Sequence, residues 1–226
     1  MQAVILAAGR GKRMGNLTMA TTKPMLKIKG KPILEHKINA LPKKIKEIIF
    51  IVGYRSMDII SHFKRYYGGR RIIYVFQTNL NGTGGAIHLA KSILRDNFLV
   101  IYGDDLYSKK DIQKMLKHDL AVLAKEVDDP SKFGIIKKNK KGHILDIIEK
   151  PKKSKDNLAA TGVFMLNRSF FDYELVSVGN GEFGLPQTMA KMAKDHKIKV
   201  EKATYWHAIG NPEDLKKAEK VLHKFI

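Results

Sequence analysis

The first 105 residues of the chain alternate strictly between short, fully apolar runs and amphipathic stretches. The runs "AVILAAG" (3–9), "EIIFIVG" (47–53), "RIIYVFQ" (71–77) and "NFLVIYGDD" (97–105) read as strands buried on both faces. Between the first two, "KPILEHKINAL" (31–41) puts Leu34, Ile38 and Leu41 on one helical stripe, with Ile33 at its margin. "SMDIISHFKRYYG" (56–68) reads as a second helix with Ser56 as its N-cap, and "GGAIHLAKSIL" (84–94) as a third. Such alternation builds right-handed crossover units on a parallel sheet with helices on both faces, an α/β sandwich. Ligands of these sheets bind beyond the carboxyl ends of the strands. Gly9, Gln77 and Asp104 all fall at such ends, which predicts that they converge.

After residue 120 the rhythm changes. "LAVLAKEV" (120–127), "FGIIKK" (133–138), "HILDIIEK" (143–150) and "AATGVFML" (159–166) are strands with little room for helices between them. Helices are expected again at 169–178, 185–195 and 212–225, with a strand near 198–204. No repeat of fixed period and no linker rich in Gly, Ser or Pro divides the chain. The expectation is a single domain over 1–226, with a nucleotide-binding half at 1–118 and a closing half at 119–226.

Composition narrows the function classes. No stretch approaches the roughly 18 apolar residues that a membrane span needs, and the apolar N-terminus lacks the basic region of a secretory signal. There is no cysteine, so disulfides and thiolate metal sites are excluded. A cytoplasmic location is the expectation, and self-association is left open. Lys and Arg number 42 against 22 Asp and Glu, a formal charge of +20. The basic residues are dispersed, with local clusters only at "KKNKKGH" (137–143) and "KPKKSK" (150–155). That pattern suits a solvated basic surface or the steering of a polyanion such as a phosphorylated substrate. No zinc-finger spacing or RNA-binding aromatic strand accompanies it, which argues against specific nucleic-acid recognition.

The loop "LAAGRGKRM" (6–14) follows the first strand. Two glycines one residue apart turn the backbone tightly and present N–H groups to an anion, and Lys12 and Arg13 add charge. Met14 stands at the third glycine position of the dinucleotide fingerprint, and no Gly-Lys-Ser/Thr follows as in a Walker A loop. Taken alone, the loop fits a phosphate site or a plain tight turn equally well.

The segments that follow add specificity: "TTKPMLKIKGKPILEH" (21–36), "QTNLNGTGGA" (77–86) and "VIYGDD" (100–105), in that order and spacing. With them the whole chain resembles the sugar-phosphate nucleotidyltransferases. The family signature Leu-Ala-Ala-Gly-x-Gly-x-Arg-Met/Leu is met from Leu6 to Met14. The resemblance implies a Rossmann-like three-layer sandwich around a mixed, mainly parallel sheet. It also implies transfer of a nucleotidyl group from a nucleoside triphosphate, UTP or dTTP favoured, to a sugar 1-phosphate.

By the same resemblance, Leu6, Ala8, Gly9, Gly11 and Arg13 hold the nucleotide, with Arg13 on the terminal phosphates. Lys23 steadies the phosphates of both substrates, although Thr22 replaces the family's first proline. Gln77, Gly82 and Thr83 meet the base, an amide offering both a donor and an acceptor to a pyrimidine edge. Asp104 is the implied Mg²⁺ ligand, a carboxylate suited to a hard ion that leans on substrate phosphates. On the sugar side the implied residues are Gly134 of "FGII", Glu149 and Lys150 of "EKP", and Thr161 and Gly162 of "ATGVF". Arg13, Lys23 and Asp104 are the implied catalytic set. No hexapeptide-repeat β-helix follows residue 226 in this sequence, so an attached acyltransferase activity is not expected.

One position breaks the pattern. The family's C-terminal Trp-x-Asp-Ile/Val-Gly segment reads Trp206, His207, Ala208, Ile209, Gly210 here. The replaced aspartate is the family's second metal ligand. Three readings follow: an introduced substitution, a natural one compensated by Asp105, His207 or substrate phosphates, or a binding protein without turnover. His207 is a weak Mg²⁺ candidate, since imidazole suits softer metals, and its plain reading is a histidine packed beside Trp206.

Overall fold

The computed structural model describes residues 1–225. Its centre is a sheet of ten strands. Five come from the first half of the chain: β1 (Gln2–Ala7), β2 (Glu47–Val52), β3 (Tyr66–Tyr67), β4 (Arg70–Phe76) and β5 (Phe98–Tyr102). The others are β6 (Ala121–Glu126), β7 (Gly134–Lys138), β8 (Ile144–Glu149), β9 (Leu158–Leu166) and β10 (Lys199–Lys202). The order across the sheet is β8-β7-β9-β5-β1-β2-β4-β3, with β6 pairing β9 and β10 pairing β6. Strands β5, β1, β2 and β4 run parallel, as the alternation predicts, and β9 joins antiparallel to β5 with Val163 opposite Ile101.

Strands β5, β1 and β2 are buried on both faces, which is why they are almost continuously apolar, whereas β4, toward the sheet edge, is only partly buried. Val4, Ile49, Ile51 and Val100 face α3 (Gly82–Leu89) and α5 (Leu185–Met192) through Ala86, Ile87, Leu185 and Met189. Ala3, Ile5, Ile48, Phe50, Leu99 and Ile101 face α1 (Ile33–Ala40), α2 (Ser56–Phe63) and α4 (Lys109–Met115) through Leu34, Ile38, Ile59, Phe63, Ile112 and Met115. The result is the three-layer α/β sandwich. A third cluster joins Met14, Ile28, Ile33, Leu106 and Ile209 to Ala218 and Leu222 at the end of the chain. It seats α6 (Pro212–Val221), capped by Asn211, whose Oδ1 accepts from Asp214 N at 3.0 Å. Among the described residues no helix is long and apolar enough to cross a membrane.

The departures from expectation lie at turns. The helix expected over 56–68 ends at Phe63, and Tyr66–Tyr67 pairs with β4 in a hairpin. Gly68 and Gly69 hold positive φ there (55° and 72°), a glycine-pair turn that favours hairpins. Ser56 is the first residue of α2 rather than its cap; Arg55, at φ 48°, takes the capping position. Of the helix expected over 169–178 only the short turn Arg168–Asp172 forms. Val176–Gly179 then pairs with Glu182–Gly184 around Asn180-Gly181, both at positive φ, the Asn-Gly signature of a hairpin. Helix α4 follows the expected strand end without a matching sequence expectation.

A buried carboxylate fixes the last crossing of the chain. Asp111 on α4 is fully buried, and its oxygens accept from Thr204 N (2.6 Å), Thr204 Oγ1 (2.8 Å) and Tyr205 N (3.1 Å). Lys114 Nζ adds an ion pair at 3.3 Å. The strand Trp206–His207 is thereby set against Leu106–Tyr107. Replacing Asp111 with Ala strands three donors, and the expected loss is about 3–5 kcal/mol of unfolding free energy, read as a lower midpoint in urea.

Candidate functional site

The carboxyl ends of β1, β4 and β5 meet on one side of the sheet, and the predicted site residues gather there. The glycine loop leaves β1 at Ala7 and turns through Gly11 at φ 63°, where a side chain would also strike Lys23 Cβ at 2.8 Å. Gly11 O accepts from Met14 N at 2.9 Å and Thr18 Oγ1 at 3.2 Å, and buried Met14 anchors the loop from below. Among the described residues, the N–H groups of residues 9–13 reach no protein acceptor. Gly9, Arg10, Lys12 and Arg13 are exposed beside them. Free N–H groups ringed by cations make an anion cradle. Leu6 and Ala8 support it from the strand, their carbonyls accepting from Gly103 N (2.8 Å) and Tyr54 N (3.0 Å).

Lys23 lies under this loop, only 6% exposed, and its Nζ donates to Asp104 Oδ2 at 2.7 Å. It sits at the start of a single turn, Lys23–Met25, next to Thr22, whose buried hydroxyl finds no partner. Asp105 does a different job. Its Oδ2 accepts from Trp206 Nε1 at 3.0 Å and its Oδ1 from Ile209 N at 2.9 Å, while its carbonyl accepts from Lys37 Nζ at 2.5 Å. Burial and then the Asp104 charge push the Asp105 carboxyl up to about 6. Burial likewise draws the Lys37 ammonium down to about 7, with Asp105 and Asp104 opposing it. Lys37 also stands 4.3 Å over the Tyr107 ring.

Ala208 hangs between the two residues that Asp105 holds. Asp105 therefore spends both carboxylate oxygens on this segment, and the ring Nε2 of His207 meets Asp214 O at 2.8 Å. The two protein groups that could stand in for a missing carboxylate are both engaged elsewhere. Among the described residues no group of three or more His, Asp or Glu is arranged to hold a metal ion. One carboxylate, Asp104, faces the cradle. That donor set fits a divalent cation only where substrate phosphates and water supply the remaining oxygens, a mode Mg²⁺ tolerates.

Gln77 is buried at the end of β4, and its Nε2 donates to Asn81 Oδ1 (3.1 Å) and Gly82 O (3.2 Å). Gly82 holds φ 89°, and a Cβ there would lie 2.4 Å from Phe183 O, so the loop 77–82 locks against the hairpin that follows. Thr83 Oγ1 accepts from Leu185 N at 3.0 Å. Across the cleft, Gly134 pairs with Glu149, and Glu149 Oε2 accepts from Gln187 Nε2 at 3.1 Å. Lys150 is exposed at φ 42°, with Nζ 3.5 Å from Glu149 Oε1. Thr161 is placed differently from expectation: its hydroxyl is buried and donates to Leu123 O at 2.9 Å, inside the sheet. Gly162, at φ 94°, interrupts the β9 register and lets the Tyr102 ring approach, since a Cβ would meet it at 2.5 Å.

The model of the nucleotidyl transferase family matches residues 2–224. The chain belongs to this sugar-phosphate nucleotidyltransferase family. It is 35% identical over 225 residues to the bifunctional protein GlmU of Methanocaldococcus jannaschii, covering 98% of this chain and 54% of that protein. The chain thus spans about half the length of the curated relatives it matches first. It is 31% identical to the UTP–glucose-1-phosphate uridylyltransferase AglF of Haloferax volcanii, over 99% of this chain and 97% of that one. A solved Bacillus anthracis structure assigned as a glucose-1-phosphate thymidylyltransferase, in complex with sucrose, superposes with a TM-score of 0.87 at 27% identity. It covers 100% of this chain and 96% of that one. A UDP-glucose pyrophosphorylase complexed with UDP-glucose superposes with a TM-score of 0.84 at 23% identity, which supports the fold alone.

Within this family frame, sequence reasoning overlooked Tyr102. Burial raises its phenol well above the ordinary range, with Thr83 opposing and the charges of Glu149 and Asp104 adding to the rise. A phenol that stays neutral therefore stands near Thr83, with its ring against Gly162. Its place at the last position of β5, two residues after Val100 on the same face and two before Asp104, was the available signal. The Asp105 latch makes a measurable prediction, because Trp206 is the only tryptophan. Asp105→Asn keeps the shape but turns an amide N–H₂ toward one of two donors. The expected result is a loss of about 1–3 kcal/mol and a red shift of Trp206 emission, with wild-type emission and midpoint as the outcome that refutes the latch.

Proposed function

We propose that this nucleotidyltransferase transfers a nucleotidyl group from UTP or dTTP to a sugar 1-phosphate, giving a nucleoside-diphosphate sugar and pyrophosphate. The observation that carries the reading is the convergence of backbone N–H groups free of protein acceptors among the described residues, the Lys23–Asp104 pair and the Gln77 amide at neighbouring strand ends. The functions stated by the names of AglF and the thymidylyltransferase-like structure support it. Residues 1–118 supply the nucleotide side, and residues 119–226 close it on the sugar side.

In this reading no side chain forms a bond to substrate. A phosphate oxygen of the sugar 1-phosphate attacks the α-phosphorus in line, that P–O bond forms, and the bond to the bridging oxygen of the leaving pyrophosphate breaks. The N–H groups of residues 9–13 and Arg13 hold the leaving phosphates and accept the charge that develops on them. Lys23 lies where incoming and leaving phosphates would meet, and Gln77 and Gly82 meet the pyrimidine edge. Glu149 and the Gly134 N–H meet sugar hydroxyls, Lys150 reaches the sugar phosphate, and Gly162 rather than the Thr161 hydroxyl lines the wall. A divalent cation, Mg²⁺ in this reading, would be held by Asp104 and would neutralise phosphate charge.

Ala208 favours a second reading, a nucleotide- or nucleotide-sugar-binding protein without turnover, since Asp105 and His207 are both engaged elsewhere. A panel of triphosphates against sugar 1-phosphates, followed by pyrophosphate release, separates the two. Pyrimidine-dependent release supports transfer; nucleotide-sugar binding with no release in wild type or variant supports the binding reading. Under the transfer reading, Ala208→Asp raises kcat by about 10²–10³. Equal activity in both forms would mean that the substrate phosphates already complete the charge balance.

A further inference from the structure

We propose that a basic groove at the opposite pole of the sheet binds an oligophosphate anion. The groove is open to solvent, spans about 490 Å³ and is lined by residues 117–120 with His143, Asn167, His196, Lys197 and Lys199. It lies beyond the amino end of β5: Asn167 follows Leu166, which pairs with Phe98. Asp104 follows the other end of the same five-residue strand, so about 17 Å of strand separates the two places.

The groove gathers basic residues from segments that are far apart in the sequence. Lys117, Lys197 and Lys199 line it from two separate segments, and none is ion-paired among the described residues. Lys199 Nζ has only the carbonyl of Lys141, at 3.5 Å. The rings of His143 and His196 make no hydrogen bond among the described residues, whereas His118 is taken by Glu201 at 3.1 Å. The one carboxylate in the lining, Asp119, accepts from Asn97 Nδ2 at 2.7 Å. Three ammonium groups held around one concavity repel each other, and an anion with several phosphates relieves all three at once. Ammonium groups give charge-assisted hydrogen bonds to phosphoryl oxygens, and imidazole N–H groups add further donors.

The lining also defines the ligand class. Leu120 is the only apolar side chain in it, and its only rings are the imidazoles of His118, His143 and His196. The lining therefore offers cationic and imidazole donors rather than apolar surface, so the ligand is recognised through its phosphates. The volume, within the range of small-molecule sites, exceeds what a single phosphate needs.

The test is titration with pyrophosphate and with tripolyphosphate at fixed ionic strength, followed by calorimetry and by backbone amide NMR. Amide shifts are expected at residues 117–120, 143 and 196–199, independent of any at residues 9–13. Lys197→Gln with Lys199→Gln is expected to weaken the groove event by roughly tenfold per lysine, leaving shifts at the glycine loop unchanged. Lys43→Gln with Lys44→Gln removes the same charge from an exposed loop and is expected to change nothing. The proposal is overturned if the groove amides of the wild-type protein stay still at millimolar ligand. It is equally overturned if the two double variants weaken binding alike, because attraction then belongs to the whole +20 surface.

Discussion

Burial of the parallel strands on both faces is the constraint from which the rest follows. Strands β1, β2 and β5 have helices above and below them, so a polar side chain inside them would lose water without gaining a partner. Chemistry is therefore expelled to the strand ends. Gly9, Gln77 and Asp104 stand together for that reason, and the same constraint leaves the amino-end pole free to carry an unrelated basic groove.

At the crowded end, two adjacent aspartates divide the work. Asp104 faces the cradle and pairs with Lys23, while Asp105 turns the other way and ties down Trp206 and Ile209. Asp111 fixes the same C-terminal segment one turn earlier. Two carboxylates, Asp105 and Asp111, thus bring residues 204–209 to the cleft, where the position of the family's carboxylate is Ala208. The segment's shape survives the missing carboxylate because backbone and indole N–H groups, not the side chain at 208, hold it.

Much of the architecture was legible because strand burial and helix periodicity are written locally. The strands at 2–7, 47–52, 70–76 and 98–102 and the helices at 33–40 and 185–192 stand close to where their patterns put them. The misses have local causes. Tyr66–Tyr67 continued an apolar stripe into the Gly68-Gly69 turn, and residues 176–184 carried an Asn-Gly turn that outweighed helical spacing. In the site, the glycine loop, Lys23 and Asp104 were readable as a motif. The inward turn of Thr161 and the reach of Tyr102 were not, because both depend on strand register at a glycine interruption.

The sequence by itself determined the sandwich, the family and the absence of a carboxylate at 208, since each rests on residue type at a fixed spacing. Only the tertiary structure decided which aspartate faces the cradle and which is spent as a latch. It also decided that His207 is engaged by Asp214 O and that scattered lysines meet in one groove. The aspartate roles and the groove turn on side-chain direction and on contacts between residues some 80 to 100 positions apart, and the His207 contact turns on how the chain folds back into α6; residue type at a fixed spacing specifies none of these.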